Sequence, residues 1–203
     1  MRAQEEGSIE IFKLYGASAG HPYVESGALP VRYFDKFFNG HALPDSWVPP
    51  PFEVRRPSSK LADILAWKES LPLLSKRAVD LLCAVAPECA EYRHFTAIRG
   101  HAYYVVNVLA QEDILDLDRS ELSRTEGGRI RSIQGHSFTR TDVSSQLFKL
   151  RGFFDGPVFV TRRVAQAVVD AGLSGFQFRD PAVSETALLF SGRDVNAFPG
   201  VKP

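Results

Sequence analysis

Cysteine is almost absent: Cys83 and Cys89 are the only two in 203 residues. That excludes the dense disulfide framework by which small secreted domains offset a thin core, and predicts a reduced intracellular pair. Their spacing fits no zinc pattern and His94 does not complete one, so no metal site is expected. Net charge is missing too. Lys+Arg and Asp+Glu are equal at 24 each, so no global field draws the chain to nucleic acid or to an anionic membrane. Nor is there a long hydrophobic run. The longest, around Ala102 to Ala110, is interrupted by Asn107 and falls far short of the roughly 18 to 20 residues that cross a bilayer. The polar, acidic start from Met1 to Glu6 is followed by no apolar segment of the signal-peptide kind. The chain carries no internal repeat and no low-complexity tract. These absences predict a soluble cytoplasmic protein with no membrane or nucleic-acid partner and no cofactor.

Hydrophobic residues make up 44% and charged residues 24%, the composition of a globular chain with a core. The length suits one domain over 1–203, with a loop-rich part over 1–60 packed on the core and a surface tail over 191–203. Ile9 to Tyr15 reads as a strand with apolar side chains on both faces. The stretch to about Lys60 is rich in Gly and Pro, yet carries Tyr33, Phe34, Phe37, Phe38, Trp47 and Phe52. A disordered linker would not hold aromatics at that density, and a short helix near Asp35 to Asn39 is expected. Ser75 is a good N-cap for a helix whose stripe is Ala78, Val79, Leu82 and Val85, stopped by Pro87. A shorter helix is expected over Leu61 to Trp67.

From Tyr92 the period becomes that of strands. Tyr92 to Ile98 and Ala102 to Leu109 flank a turn at Arg99-Gly100-His101. Further strands are expected over Arg129 to Phe138, Gln146 to Arg151 and Pro157 to Thr161. A helix capped by Thr161 follows, lined by Val164, Ala165, Val168 and Ala171 and closed by Gly172, and Leu173 to Phe178 returns as a strand. The fold class is α+β: a mainly antiparallel sheet, a few packed helices and an irregular aromatic-rich N-terminal region.

Gly16-Ala17-Ser18-Ala19-Gly20 matches the G-x-S-x-G elbow of serine hydrolases. His21-Pro22 follows where the elbow needs a helix, so the segment reads equally as a turn. The histidines, His21, His41, His94, His101 and His136, show no helical zinc spacing and are expected on the surface or in loops. Between Glu112 and Glu121 five acids, Glu112, Asp113, Asp116, Asp118 and Glu121, face one Arg119, a local charge of −4. That run is either a solvated turn or an acidic surface for a basic partner, with Ile114, Leu115 and Leu117 anchoring it. Residues 122–163 lean the other way: eight cations, including Arg129, Arg131 and Lys149, against three acids give +5. They pair with the acids above or form a phosphate-binding face.

In order along the chain come Trp47-Val48-Pro49-Pro50-Pro51-Phe52, Asp63-Ile64-Leu65, Leu74 to Leu82, Tyr103 to Val108 and Leu115 to Glu121. Leu147-Phe148-Lys149-Leu150, Val158 to Thr161 and Gly172-Leu173-Ser174-Gly175-Phe176-Gln177-Phe178 complete the series. This ordered series resembles the bacterial immunity protein eleven family of polymorphic toxin systems, over roughly Trp47 to Phe178. The resemblance implies a non-catalytic protein that binds and neutralises a cognate toxin in the producing cell, the toxin being encoded by the adjacent gene. It supplies no catalytic residue. The acids from Glu112 to Glu121 are the expected toxin-binding residues. A small serine hydrolase using Ser18, or a ligand-binding or scaffold protein of the same fold, remains open on the residues alone.

Overall fold

A computed structural model describes residues 11–16, 21–27, 29, 33–56, 59–68 and 71–183. The expectations for residues 1–10, for Ser18 with its two flanking alanines and for the 191–203 tail lie outside these. Among the described residues no helix is long and apolar enough to cross a membrane.

In chain order the elements are β1 (Ile11–Gly16), β2 (Tyr23–Ser26), α1 (Tyr33–Phe37), β3 (Phe52–Arg55), β4 (Ile64–Lys68), β5 (Leu71–Ser75) and α2 (Lys76–Val85). There follow β6 (Ala90–Ile98), β7 (His101–Val108), β8 (Gln111–Glu112), β9 (Glu121–Arg124), β10 (Ile130–Gly135), β11 (Leu147–Leu150), β12 (Val158–Thr161), α3 (Arg162–Asp170) and β13 (Phe176–Arg179). Two sheets carry the fold, one ordered β13-β1-β12-β11-β8 and one β4-β5-β7-β6, with the ribbons β2-β3 and β9-β10 added. Pairing is antiparallel except between β11 and β8. The fold is α+β and mainly sheet, as the sequence suggested.

Period-two alternation divides the apolar residues among three clusters. On β4, β5 and β7, Ile64, Leu74, Val106 and Val108 join the helix residues Ala78, Leu82, Val164 and Ala165 and the β1 residues Phe12 and Leu14 in a central core. The alternate residues Leu65, Leu73, Tyr103 and Val105 face the opposite way, into a cluster with Phe38, Trp67 and Phe95. Tyr33, Trp47 and Phe52 pack against that second cluster, so the N-terminal aromatics serve as a cover for the four-stranded sheet. The remaining face of the five-stranded sheet, Ile11, Phe148 and Phe159, meets Ile114 from the segment after β8.

One secondary-structure expectation is overturned. Leu61 to Trp67 is not a helix; it ends in strand β4, paired antiparallel with β5. Leu61, Ile64 and Leu65 mimic a helical stripe, but the chain buries Ile64 and Leu65 on opposite sides of a sheet, which a helix cannot do. Elsewhere the reading holds with shifted ends. Ser75 caps α2, its Oγ accepting from the Ala78 N–H at 3.2 Å. Arg99 and Gly100, at φ 51° and 80°, form the two-residue hairpin turn between β6 and β7. Thr161 stands at the N-cap of α3 without a capping bond; its hydroxyl bonds the Gln146 Oε1 at 2.6 Å.

One node ties distant segments together. Asp63 accepts from the Ser75 hydroxyl at 2.8 Å through Oδ1, and from the Ser174 N–H at 2.9 Å and hydroxyl at 3.2 Å through Oδ2. Gly175 follows at φ 83°, where a Cβ would stand 2.6 Å from Ala62 Cβ and 2.9 Å from the Ile64 carbonyl oxygen. Only glycine fits both the conformation and the space.

Candidate partner-binding surface

The acidic run divides between the inside and the outside of the fold. Burial alternates at its start: Glu112 and Ile114 are buried and Asp113 is exposed, because β8 pairs with β11 and turns alternate residues inward. Glu112 is 4% exposed. Its Oε1 accepts from the Ser144 N–H at 3.1 Å, the Ser144 hydroxyl at 2.7 Å and the Ser145 N–H at 2.9 Å. Arg140 lies 3.9 Å from Oε2. Burial pushes this carboxyl upward, but the bonds from Ser144 and Ser145 outweigh it and hold the pKa below the ordinary glutamate value. Glu112 therefore organises the loop before β11, and the expectation that it faces a partner is corrected.

The other acids stand on a braced loop. Ile114 is buried with Phe148 and Phe159. Leu115 forms a β-bridge with Phe138. The Asp116 N–H donates to the Ser137 carbonyl at 2.9 Å, the Thr139 N–H to the Ile114 carbonyl at 2.8 Å, and the Ser137 N–H to the Ser120 hydroxyl at 2.9 Å. Asp116 Oδ1 accepts from the Asp118 and Arg119 N–H groups at 3.1 Å, closing the tip as an Asx turn. Asp113, Asp118 and Glu121 are exposed and Asp116 is half-buried. Leu117, expected as an anchor, points outward at 43% exposure. With Glu112 inside, the surface charge of the segment is −3.

The positive stretch does not act as one face. Arg124, Arg129 and Arg131 are exposed around the β9–β10 hairpin, where an Arg124 Nη1 donates to the Gly128 carbonyl at 3.0 Å. Lys149 is buried and its Nζ donates to the Phe154 carbonyl. Burial draws its pKa down to about 8, against the attraction of Asp155. Arg140 turns to Glu112.

Of the candidate nucleophile motif, Ser18 lies outside the described residues. Its first glycine has a packing reason: a Cβ on Gly16 would stand 2.9 Å from the Ala66 nitrogen and the Leu65 carbonyl carbon. Among the described residues no group of three His, Cys, Asp or Glu side chains could hold a metal ion. His136 departs from the surface placement expected of it. It is 4% exposed, stacks edge-on against Phe159 at 5.2 Å, and its Nδ1 has no hydrogen-bond partner among the described residues. No residue pattern around it signals that burial. It follows from the pairing of its N–H with the Pro181 carbonyl at 2.8 Å, a contact between segments 45 positions apart.

A model of the immunity protein family Imm11 matches residues 25–183. The match runs from β2 to just beyond β13 and takes in the whole acidic segment, the cover of N-terminal aromatics and the Asp63 node. No curated protein matches the chain.

Proposed function

The chain belongs to the immunity protein family Imm11, and from that premise we propose that it protects the producing cell by binding a cognate toxin and holding it inactive, in the cytoplasm and without catalysis. The observation that carries this reading is the family match over most of the chain. The toxin is expected from the neighbouring gene. The contact surface is the outward part of the acidic segment, Asp113, Asp116, Asp118 and Glu121. A toxin that acts on nucleic acid carries a basic face to hold phosphates, and carboxylates on a braced loop can cover such a face without first being ordered.

The test is association kinetics with that toxin at several ionic strengths. Asp113, Asp116 and Asp118 are replaced together by Asn, whose side-chain oxygen at 116 still accepts the turn bonds from Asp118 and Arg119. Charges at an interface rim act mainly on the association rate. The triple variant should associate roughly tenfold more slowly at low salt, with the difference closing as salt screens it. A wild-type association rate at low salt removes the acidic segment from the interface. Failure of the unmodified protein to bind or protect against the toxin removes the proposed function itself.

A further inference from the structure

Strand β6 lies at the edge of the four-stranded sheet, whose order is β4-β5-β7-β6. At nine residues it is the longest of the described strands, and a long open edge is a template for pairing with another chain. Both of its faces are covered. Ala90 and Tyr92 pack against the central core. On the other face the loop between α1 and β3 is held down. The Leu43 N–H donates to the Glu91 carboxylate, Arg93 Nη2 to the Leu43 carbonyl at 3.0 Å, and Asn107 Nδ2 to the His41 carbonyl at 2.8 Å. Asn107 belongs to β7, so this loop runs across the face of the sheet, inward from the edge.

The backbone edge itself is open, and the register fixes which groups it presents. The Leu109 N–H donates to the Cys89 carbonyl at 2.9 Å, and Glu91 and Arg93 stand opposite Asn107 and Val105. Alternate residues of an antiparallel strand bond the same neighbour, so Cys89, Glu91 and Arg93 turn toward β7. Ala90, Tyr92 and His94 turn their N–H and C=O groups outward, where no backbone group of the described residues bonds them. Beyond His94 the register shifts, with Phe95 as the extra residue of a bulge, and a bulge interrupts the ladder. The free ladder therefore runs from Ala90 to His94.

Charge decides what fits this ladder. Were a second copy to pair about a two-fold axis at Glu91 or at Arg93, that residue would face itself, and like charges directly opposite are unfavourable. An axis at Tyr92 instead sets Glu91 opposite Arg93 of the second copy and Arg93 opposite its Glu91, two reciprocal ion pairs. The Arg93 side chain is 37% exposed and that of Glu91 18%, so both reach the solvent beside the edge. The same axis joins Ala90 with His94, Tyr92 with Tyr92 and His94 with Ala90. Every outward residue then sits in a hydrogen-bonded pair that exchanges both N–H···O bonds. We propose that β6 is a self-association edge: two copies of the chain pair antiparallel through Ala90 to His94 about a two-fold axis at Tyr92, which joins their four-stranded sheets into one. A ladder this short makes a small interface, so the dimer is weak, with a Kd in the micromolar range. The dimer does not depend on the proposed toxin binding.

The experiment is sedimentation equilibrium of the full chain. The mass should rise from 22.5 kDa towards twice that value between micromolar and millimolar protein. Amide hydrogen exchange, read by NMR at both ends of that range, identifies the edge. The Tyr92 and His94 amides should exchange severalfold more slowly at the higher concentration, whereas those of Glu91 and Arg93, bonded to β7, should be slow at both. His94→Pro removes an N–H that β7 does not use and sets a ring on the edge, where proline is tolerated; it should abolish the mass increase and keep cooperative urea unfolding. Arg93→Glu sets glutamates opposite each other and should weaken the dimer about tenfold at low salt. A mass of 22.5 kDa at every concentration overturns the proposal. So does a dimer whose Tyr92 and His94 amides gain no protection, or one that a folded Arg93→Glu or His94→Pro variant forms as well as the wild type. Protection of those amides only on adding the toxin assigns the edge to a strand of the toxin and overturns self-pairing.

Discussion

Lowering the pH from 7 to 5 should destabilise the protein by about 2 kcal/mol through His136 alone. This imidazole is neutral in the folded protein because burial, and then the charge of Lys13, pull its pKa from 6.5 to about 3, opposed only by a bond to Pro181. In the unfolded chain the ring returns to its ordinary value. Between about pH 3 and 6.5 the unfolded state therefore binds a proton that the folded state refuses. Stability rises with pH across that window, and it is lost as the pH falls below 6.5. Each pH unit below the unfolded value corresponds to about 1.4 kcal/mol, so one and a half units give about 2 kcal/mol. The figure is set by the unfolded value as long as the folded one stays well under 5, and displacing the folded value by a unit scarcely changes it. The assay is urea unfolding of the wild type and of His136→Phe at pH 7, 6 and 5. The variant keeps an aromatic ring against Phe159 and has nothing to protonate. With a urea slope of about 2 kcal/mol per molar, the wild-type midpoint should fall by about 1 M more than that of the variant. Groups that titrate in both proteins cancel in the comparison. Equal falls would refute the reasoning, because His136 would then take up its proton without leaving the fold.

Two further perturbations address the scaffold. Leu82→Ala, in the central core on α2, should lower unfolding stability by about 2–5 kcal/mol, and a loss below about 0.5 kcal/mol would show that the helix face is misassigned. Asp63→Ala removes the acceptor of the Ser75 hydroxyl and of both Ser174 donors and should lower stability by about 2–4 kcal/mol in denaturant unfolding, with Asp63→Asn costing distinctly less; equal losses would show that the hydrogen-bonding oxygens are not what matters there.

What the sequence made legible was whatever is decided locally. Ser75, Pro87, Gly100 and Gly172 act through the few residues beside them, and each marks a boundary that the structure contains. The alternation along β7 told which residues lie inward, though not that its two faces enter different clusters. The failures are non-local. Leu61, Ile64 and Leu65 carry a helical spacing, and only pairing with β5 makes the segment a strand. Glu112 belonged by composition to a solvated charge run, but pairing with β11 turned it inward. One signal was available: Ile114, two residues on, must share its side if the segment is extended. For His136 there was no such signal, since its burial depends on Phe159 and Pro181 arriving from other parts of the chain.

Most of the segments that carry the family resemblance converge on the scaffold, while Leu115 to Glu121 also carries exposed acids. Asp63, Ser75 and Ser174-Gly175 come from three of them and meet in one hydrogen-bonded node. Leu74, Val106, Leu147 and Val158 come from four, and share the central core. Such residues specify how the sheets and helices sit together and leave the outward positions chemically free. Asp113, Asp118 and Glu121 are held by a loop whose bracing uses Ile114, Leu115 and backbone groups of 137–139. Their own carboxylates take no part in that bracing. Asp116 is the exception, since its Oδ1 closes the turn. Exchanging these three exposed acids therefore changes the surface charge of the loop without disturbing the core. On the proposed toxin binding, that separation lets the rim charge be rewritten one residue at a time on a frame fixed by buried contacts.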